Sequence, residues 1–198
     1  MSRPTLRNLV DLPATPPALR DSALVLVDCQ NTYTYGVMEL DGVQAALEET
    51  ATLLDRARTA GIPVIHIQHN GGPGSPYDIT AEVGAIVDSV APRDGEPVVV
   101  KQFPNSFVQT DLDERLKAVG ATNLVLAGFM THMCINSTAR GGFSLGYAPT
   151  VVASATATRP LPGISGEVVP AATLQAASLA ALSDLFAVVV PDAAAIPD

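Results

Sequence analysis

Short, unbroken apolar runs recur along the chain with helix-length segments between them, and this alternation constrains the fold more than any other feature. The runs are Ala23–Val27 ahead of Asp28, Pro63–Gln68 after Gly61, Pro97–Lys101, Asn123–Gly128, Pro149–Ala153 after Tyr147, and Phe186–Val190 ahead of Pro191. Each is too short for a stable helix and lacks the polar alternation of a half-exposed strand, so it reads as a strand covered on both faces. Between them, Gly42–Ala60 places Leu47, Leu54 and Ala57 on one helical stripe and is followed by Gly61, a ready stop. Asp111–Val119 before Gly120, Cys134–Leu145 before Gly146, and Ala171–Leu185 read as further helices. Such strand–helix–strand units cross over right-handedly and put helices on both faces of the sheet. The expectation is an α/β fold, a three-layer α/β/α sandwich around a six-stranded, mostly parallel sheet.

The remaining segments are read from composition. Asn70–Tyr77 and Ser154–Pro170 are expected to be loops. Residues 1–21 hold four prolines and no periodic pattern, and are expected to form an arm on the surface or on a neighbouring subunit, without a catalytic role. The 198 residues are read as one domain. With 47% hydrophobic and 16% charged residues, the chain is too apolar for intrinsic disorder. A net charge of −9 without a Lys/Arg cluster excludes a nucleic-acid footprint. No apolar stretch approaches the ~18 residues of a membrane span. The opening segment also lacks a signal-peptide core, so no membrane partner is expected and the cytoplasm is the expected location. Cys29 and Cys134 are too few and too far apart for a disulfide framework or a metal-binding pair, which leaves room for a reactive thiol.

In an open parallel sheet, ligands bind beyond the carboxyl ends of the strands, where loops converge and helix N-termini point their amides. Asp28 follows the first strand, Lys101 ends the third, and Cys134 opens the helix after the fourth, so three reactive types fall at one edge. Each also has an ordinary explanation: an aspartate can cap a helix, a lysine can be a solvated charge, and a cysteine can be a small buried hydrophobe. Cys134 gains most from its setting, because a helix N-terminus and a nearby ammonium lower a thiol's pKa. Cys29 is adjacent to Asp28, is expected to point the other way, and is read as a packing residue.

The segment G-F-M-T-H-M-C, Gly128–Cys134, resembles the G-x-x-T-x-x-C signature of the isochorismatase-like cysteine hydrolases. That family includes nicotinamidases, N-carbamoylsarcosine and ureidoacrylate amidohydrolases and streptothricin hydrolase. L-V-L-V-D-C-Q-N-T-Y around Asp28 is similar to the family's apolar strand followed by D-x-Q-N, and the segment from Lys101 to Leu112 is similar to its K-x-x-x-S-x-F-x-x-T-x-L. The likeness runs from Ala23 to Val190. It implies the strand order 3-2-1-4-5-6 and a Cys-Asp-Lys triad of Cys134, Asp28 and Lys101. It also implies a non-proline cis peptide between Phe129 and Met130, and an oxyanion hole formed by the Met130 and Cys134 amides.

Two departures shape the functional expectation. Nicotinamidases carry a D-x-H…H metal site after the second strand, whereas this chain has H-I-Q-H-N, His66–Asn70, without the aspartate. No metal is therefore expected, nor any other cofactor. His66 reads as a core histidine, and His69 as a residue that can face the pocket. True isochorismatases lack the nucleophilic cysteine in the family pattern, so Cys134 implies hydrolysis of a C–N bond in a small amide, ureido or lactam substrate through a thioester. The alternative is a non-catalytic, redox-sensing protein that uses Cys134 as a reactive thiol. Tyr33, Tyr35, Phe103, Phe129 and His132 are candidates for the pocket wall or for contact with a neighbouring subunit. The resemblance implies a homo-oligomer, a dimer or tetramer.

Overall fold

The computed structural model describes residues 3–198. Its main sheet has six strands, β1 (Ser22–Val27), β2 (Val64–His69), β3 (Val98–Lys101), β4 (Asn123–Phe129), β5 (Ala148–Ala157) and β8 (Val188–Val190), in the order β3-β2-β1-β4-β5-β8. Every pairing in it is parallel. The expected order holds, with β8 in sixth place because two short strands intervene in the chain. Those strands, β6 (Leu161–Pro162) and β7 (Val168–Val169), form an antiparallel hairpin within the segment expected to be a loop. The first residues of that segment, Ser154–Ala157, instead continue β5, past an irregularity where the register with β4 shifts between Leu126 and Gly128.

Alternating side chains of each strand enter two separate cores. Leu24 and Leu26 join one layer with Leu47, Leu53, Leu54 and Ala57 of α2 (Val43–Ala60). Ala23, Val25 and Val27 join the other, with Leu112 and Leu116 of α3 (Leu112–Ala118), Ala139 of α4 (Asn136–Ser144) and Leu182 of α5 (Ala171–Ser183). The sandwich is thus one long helix against three. Gly61 adopts φ 66° at the end of α2, the left-handed stop read from the sequence.

The proline-rich arm begins with a single helical turn, α1 (Leu6–Leu9), and lies along its own chain. The Arg7 guanidinium donates to the carbonyls of Leu185 at 2.7 Å and Pro13 at 2.6 Å. Beneath the arm, a cavity of about 610 Å³ is lined by Arg7, Pro13, Asn123, Tyr147, Pro149 and others. It sits at the amino ends of β4 and β5, the opposite edge from Asp28, Lys101 and Cys134. Among the described residues, no helix is long and apolar enough to cross a membrane.

Candidate active site

Asp28 lies one residue beyond β1 with φ 51°, a left-handed conformation that a short polar side chain tolerates better than most. That turn breaks the strand's alternation. Cys29 consequently falls into the α2-side core with Leu24 and Leu26, where burial, with the Asp28 charge adding to it, pushes its thiol well up. It packs, as expected. Next to this turn β4 comes very close: a Cβ on Gly128 would stand 2.0 Å from the Val27 carbonyl oxygen, and Gly128 has φ 115°. The glycine of the G-x-x-T-x-x-C segment is therefore required by backbone approach, and its threonine by anchoring, since the Thr131 hydroxyl donates to the Ala157 carbonyl at 3.0 Å.

The three edge residues converge. Lys101 Nζ lies 2.6 Å from Asp28 Oδ2 and 3.3 Å from Cys134 Sγ. Asp28 and Lys101 are sealed from solvent, while Cys134 keeps 5% of its surface exposed. The ammonium and the carboxylate form a close, fully buried ion pair. Asp28 Oδ2 faces that ammonium, and both carboxylate oxygens are shut off from solvent. Burial pushes the Asp28 carboxyl up, opposed by the charge and proximity of Lys101.

Cys134 differs from the sequence expectation in two ways. It does not open a helix but lies inside a π-helical turn, Thr131–Ile135, that precedes α4. Its thiol is pushed up to about 12, first by burial and then by the Asp28 carboxylate, with Lys101 pulling the other way. Enclosure and a neighbouring anion outweigh the single ammonium, so the resting sulfur carries its proton. The π turn has a chemical consequence: the Met130 carbonyl accepts the amides of Met133 at 3.0 Å and Ile135 at 3.2 Å and passes over that of Cys134. The Phe129–Met130 peptide is cis.

The residues proposed for a pocket wall separate. Phe129 ends β4 and is fully enclosed, and Tyr33 is buried against it with ring centroids 5.7 Å apart. Both support the site from behind. Tyr35 and Phe103 are exposed, at 50% and 41%. His132 is half-buried, with Nδ1 2.5 Å from Thr158 Oγ1. His66 is a core histidine, its Nε2 3.0 Å from Glu96 Oε2. Among the described residues no three His, Cys, Asp or Glu side chains converge as a metal site.

Sequence reading missed several supports. The Gln30 side chain clamps the end of β2, accepting the His69 N–H at 2.9 Å and donating to the His69 carbonyl at 3.0 Å. Its signal was its place in the D-x-Q-N segment. Buried Ser106 bonds Thr138 of α4 through both its amide, at 3.1 Å, and its hydroxyl, at 2.8 Å, fastening the loop after Lys101. The serine position of the K-x-x-x-S pattern is in fact Asn105, whose Oδ1 accepts the Phe107 amide at 3.0 Å. Tyr77, delivered by the Asn70–Tyr77 loop, packs its ring edgewise on His69 at 4.9 Å and on Tyr33 at 5.8 Å. Nothing local in the sequence marked it.

Residues 22–194 match the isochorismatase domain. An isochorismatase from Pseudomonas putida KT2440, solved as a crystal structure, is 35% identical and superposes with a TM-score of 0.94 over 98% of this chain and 100% of that one. A secreted isochorismatase effector of Verticillium dahliae is 32% identical over 94% of this chain and 96% of its own length. A ureidoacrylate amidohydrolase of Stutzerimonas stutzeri is 34% identical over 74% of this chain and 75% of its own. On sequence and on architecture, the chain belongs to the isochorismatase family of hydrolases.

Proposed function

We propose that this protein is a cysteine amidohydrolase that cleaves a C–N bond of a small amide, ureido or lactam compound through a thioester on Cys134. The observation that carries this reading is the enclosed contact of the Lys101 ammonium with both the Asp28 carboxylate and the Cys134 sulfur. The amidohydrolase among the relatives supports the same bond class.

Asp28 takes the thiol proton as sulfur attacks the carbonyl carbon, and Lys101 stabilises the sulfur's charge as it develops. The carbonyl π pair moves to oxygen, which the Met130 and Cys134 amides receive as hydrogen-bond donors. Collapse of this intermediate expels the nitrogen, which leaves with the proton held by Asp28. Water then gives a proton to the same carboxylate and adds to the thioester. Its cleavage releases the acid and returns the proton to sulfur. The balance is amide plus water to acid plus amine, with no redox step.

The sensor alternative fares less well, because redox-responsive cysteines are solvent-accessible and Cys134 keeps only 5% of its surface exposed. A panel of amides, ureido compounds and lactams, read by ammonia or amine release, tests the proposal. Cys134→Ala is expected to abolish turnover with the fold intact, and quenched wild-type reactions to show an acyl adduct on Cys134 by intact mass. Full activity in the Cys134→Ala protein overturns it.

A further inference from the structure

We propose that His69 is a positioning residue: its imidazole Nδ1 is the third acceptor around the Lys101 ammonium and keeps that charge within reach of Cys134 as well as Asp28. This rests on the amidohydrolase reading for its use, but its geometry stands independently. A lysine ammonium has three N–H donors and no acceptor. Around Nζ lie Asp28 Oδ2 at 2.6 Å, Cys134 Sγ at 3.3 Å and His69 Nδ1 at 3.4 Å, one from each of three separate segments. With only the carboxylate and the sulfur, the stronger charge attraction of Asp28 would draw the ammonium away from the sulfur.

His69 is itself held from several sides. Gln30 grips its backbone at both the N–H and the carbonyl, and Tyr77 meets its ring at 83°. The groups facing its ring are Lys101 from β3 and Tyr77 from the loop after β2, with Tyr33 behind Tyr77. Burial and the Lys101 charge hold its pKa down to about 4, so the ring is neutral at working pH. The nitrogen facing an ammonium must be the bare one, which places the ring proton on Nε2. A neutral acceptor steadies the lysine without neutralising it.

The test uses Cys134 alkylation by iodoacetamide across pH, located by intact mass, because it reads the sulfur's environment whether or not a substrate is known. In His69→Leu the rate is expected to fall roughly tenfold at each pH from about 7 to about 9, as for a thiol whose thiolate fraction has dropped with the loss of part of its cation. His69→Asn, whose Oδ1 stands where Nδ1 was, should recover most of that loss. His69→Gln, whose amide reaches the Nε2 position, should not. An unchanged profile in His69→Leu, or equal behaviour of the Asn and Gln variants, overturns the proposal. Should His69→Leu not fold, the contrast between Asn and Gln decides. Where a hydrolysed substrate is in hand, kcat should follow the alkylation rate with little change in KM. A wild-type protein silent on every amide, but with the expected alkylation pattern, sinks the amidohydrolase reading and leaves this one standing.

Discussion

Asp28 and Lys101 form an ion pair with no solvent contact, and such a pair stabilises a fold less than its removal in halves destabilises it. Lys101→Met leaves a buried carboxylate without its cation and is expected to cost about 3–5 kcal/mol. The pH dependence has a definite sign. Burial already raises the Asp28 carboxyl, and loss of the opposing ammonium raises it further, so the folded variant binds a proton more tightly than the unfolded chain. Its stability should recover as pH falls through that raised value and decline as pH rises through it. Urea unfolding at about pH 5 and about pH 8 checks this. A Lys101→Met, Asp28→Asn double variant should recover most of the loss and show little pH dependence. The same residue scale explains why the triad was legible only as a set: each residue type is common at a strand end, and only contact distances separate three independent loop residues from one site.

Among the elements, α2 and the outer half of the sheet are joined through one carboxylate. Glu96 accepts from Arg58 of α2 at 2.8 Å on each oxygen, from the Arg93 amide at 2.9 Å, and meets His66 of β2 at 3.0 Å. Arg58 above all holds its pKa down, from the ordinary 4.5 to about 2. A depressed carboxyl contributes stability that is present above the unfolded value and lost as pH falls towards the folded one. Wild-type stability should therefore drop between these two values, and Glu96→Gln, expected to cost about 1–3 kcal/mol near neutrality, should lack that part of the acid transition. Chemical denaturation across the acid range reads both. The element scale also shows why the hairpin of β6 and β7 and the extension of β5 escaped a sequence reading. Two-residue strands have no periodicity to detect, and β5 runs on through a register irregularity after Val151–Ala153, where Ser and Thr replace the aliphatic run.

For the molecule as a whole, the two sheet edges have different work. The carboxyl edge gathers the reactive side chains, and the amino edge is covered by the arm through the buried Arg7. Arg7→Ala removes two charge-assisted hydrogen bonds and is expected to cost about 1–3 kcal/mol, which for a chain of this size lowers Tm by about 3–8 °C. Because this edge lies across the sheet from Cys134, the alkylation rate of that thiol should not change. Differential scanning calorimetry and intact mass measure the two quantities separately, and a slowed alkylation would show that the edges communicate.

The order of apolar runs and helical stripes was enough to determine strands, helices and the parallel sandwich, because burial on both faces leaves a period-free apolar signature and a glycine stop is written locally. The sequence also brought Asp28, Lys101 and Cys134 to one sheet edge, and its likeness to the isochorismatase-like hydrolases implied that they form a triad. Only tertiary structure decided their electrostatics. A thiol expected to be acidic is instead protonated, because its pKa follows from enclosure and from a carboxylate more than a hundred positions away in the chain. Tyr77, Gln30 and the third contact of Lys101 were likewise set by packing, where neighbours in space are not neighbours in sequence.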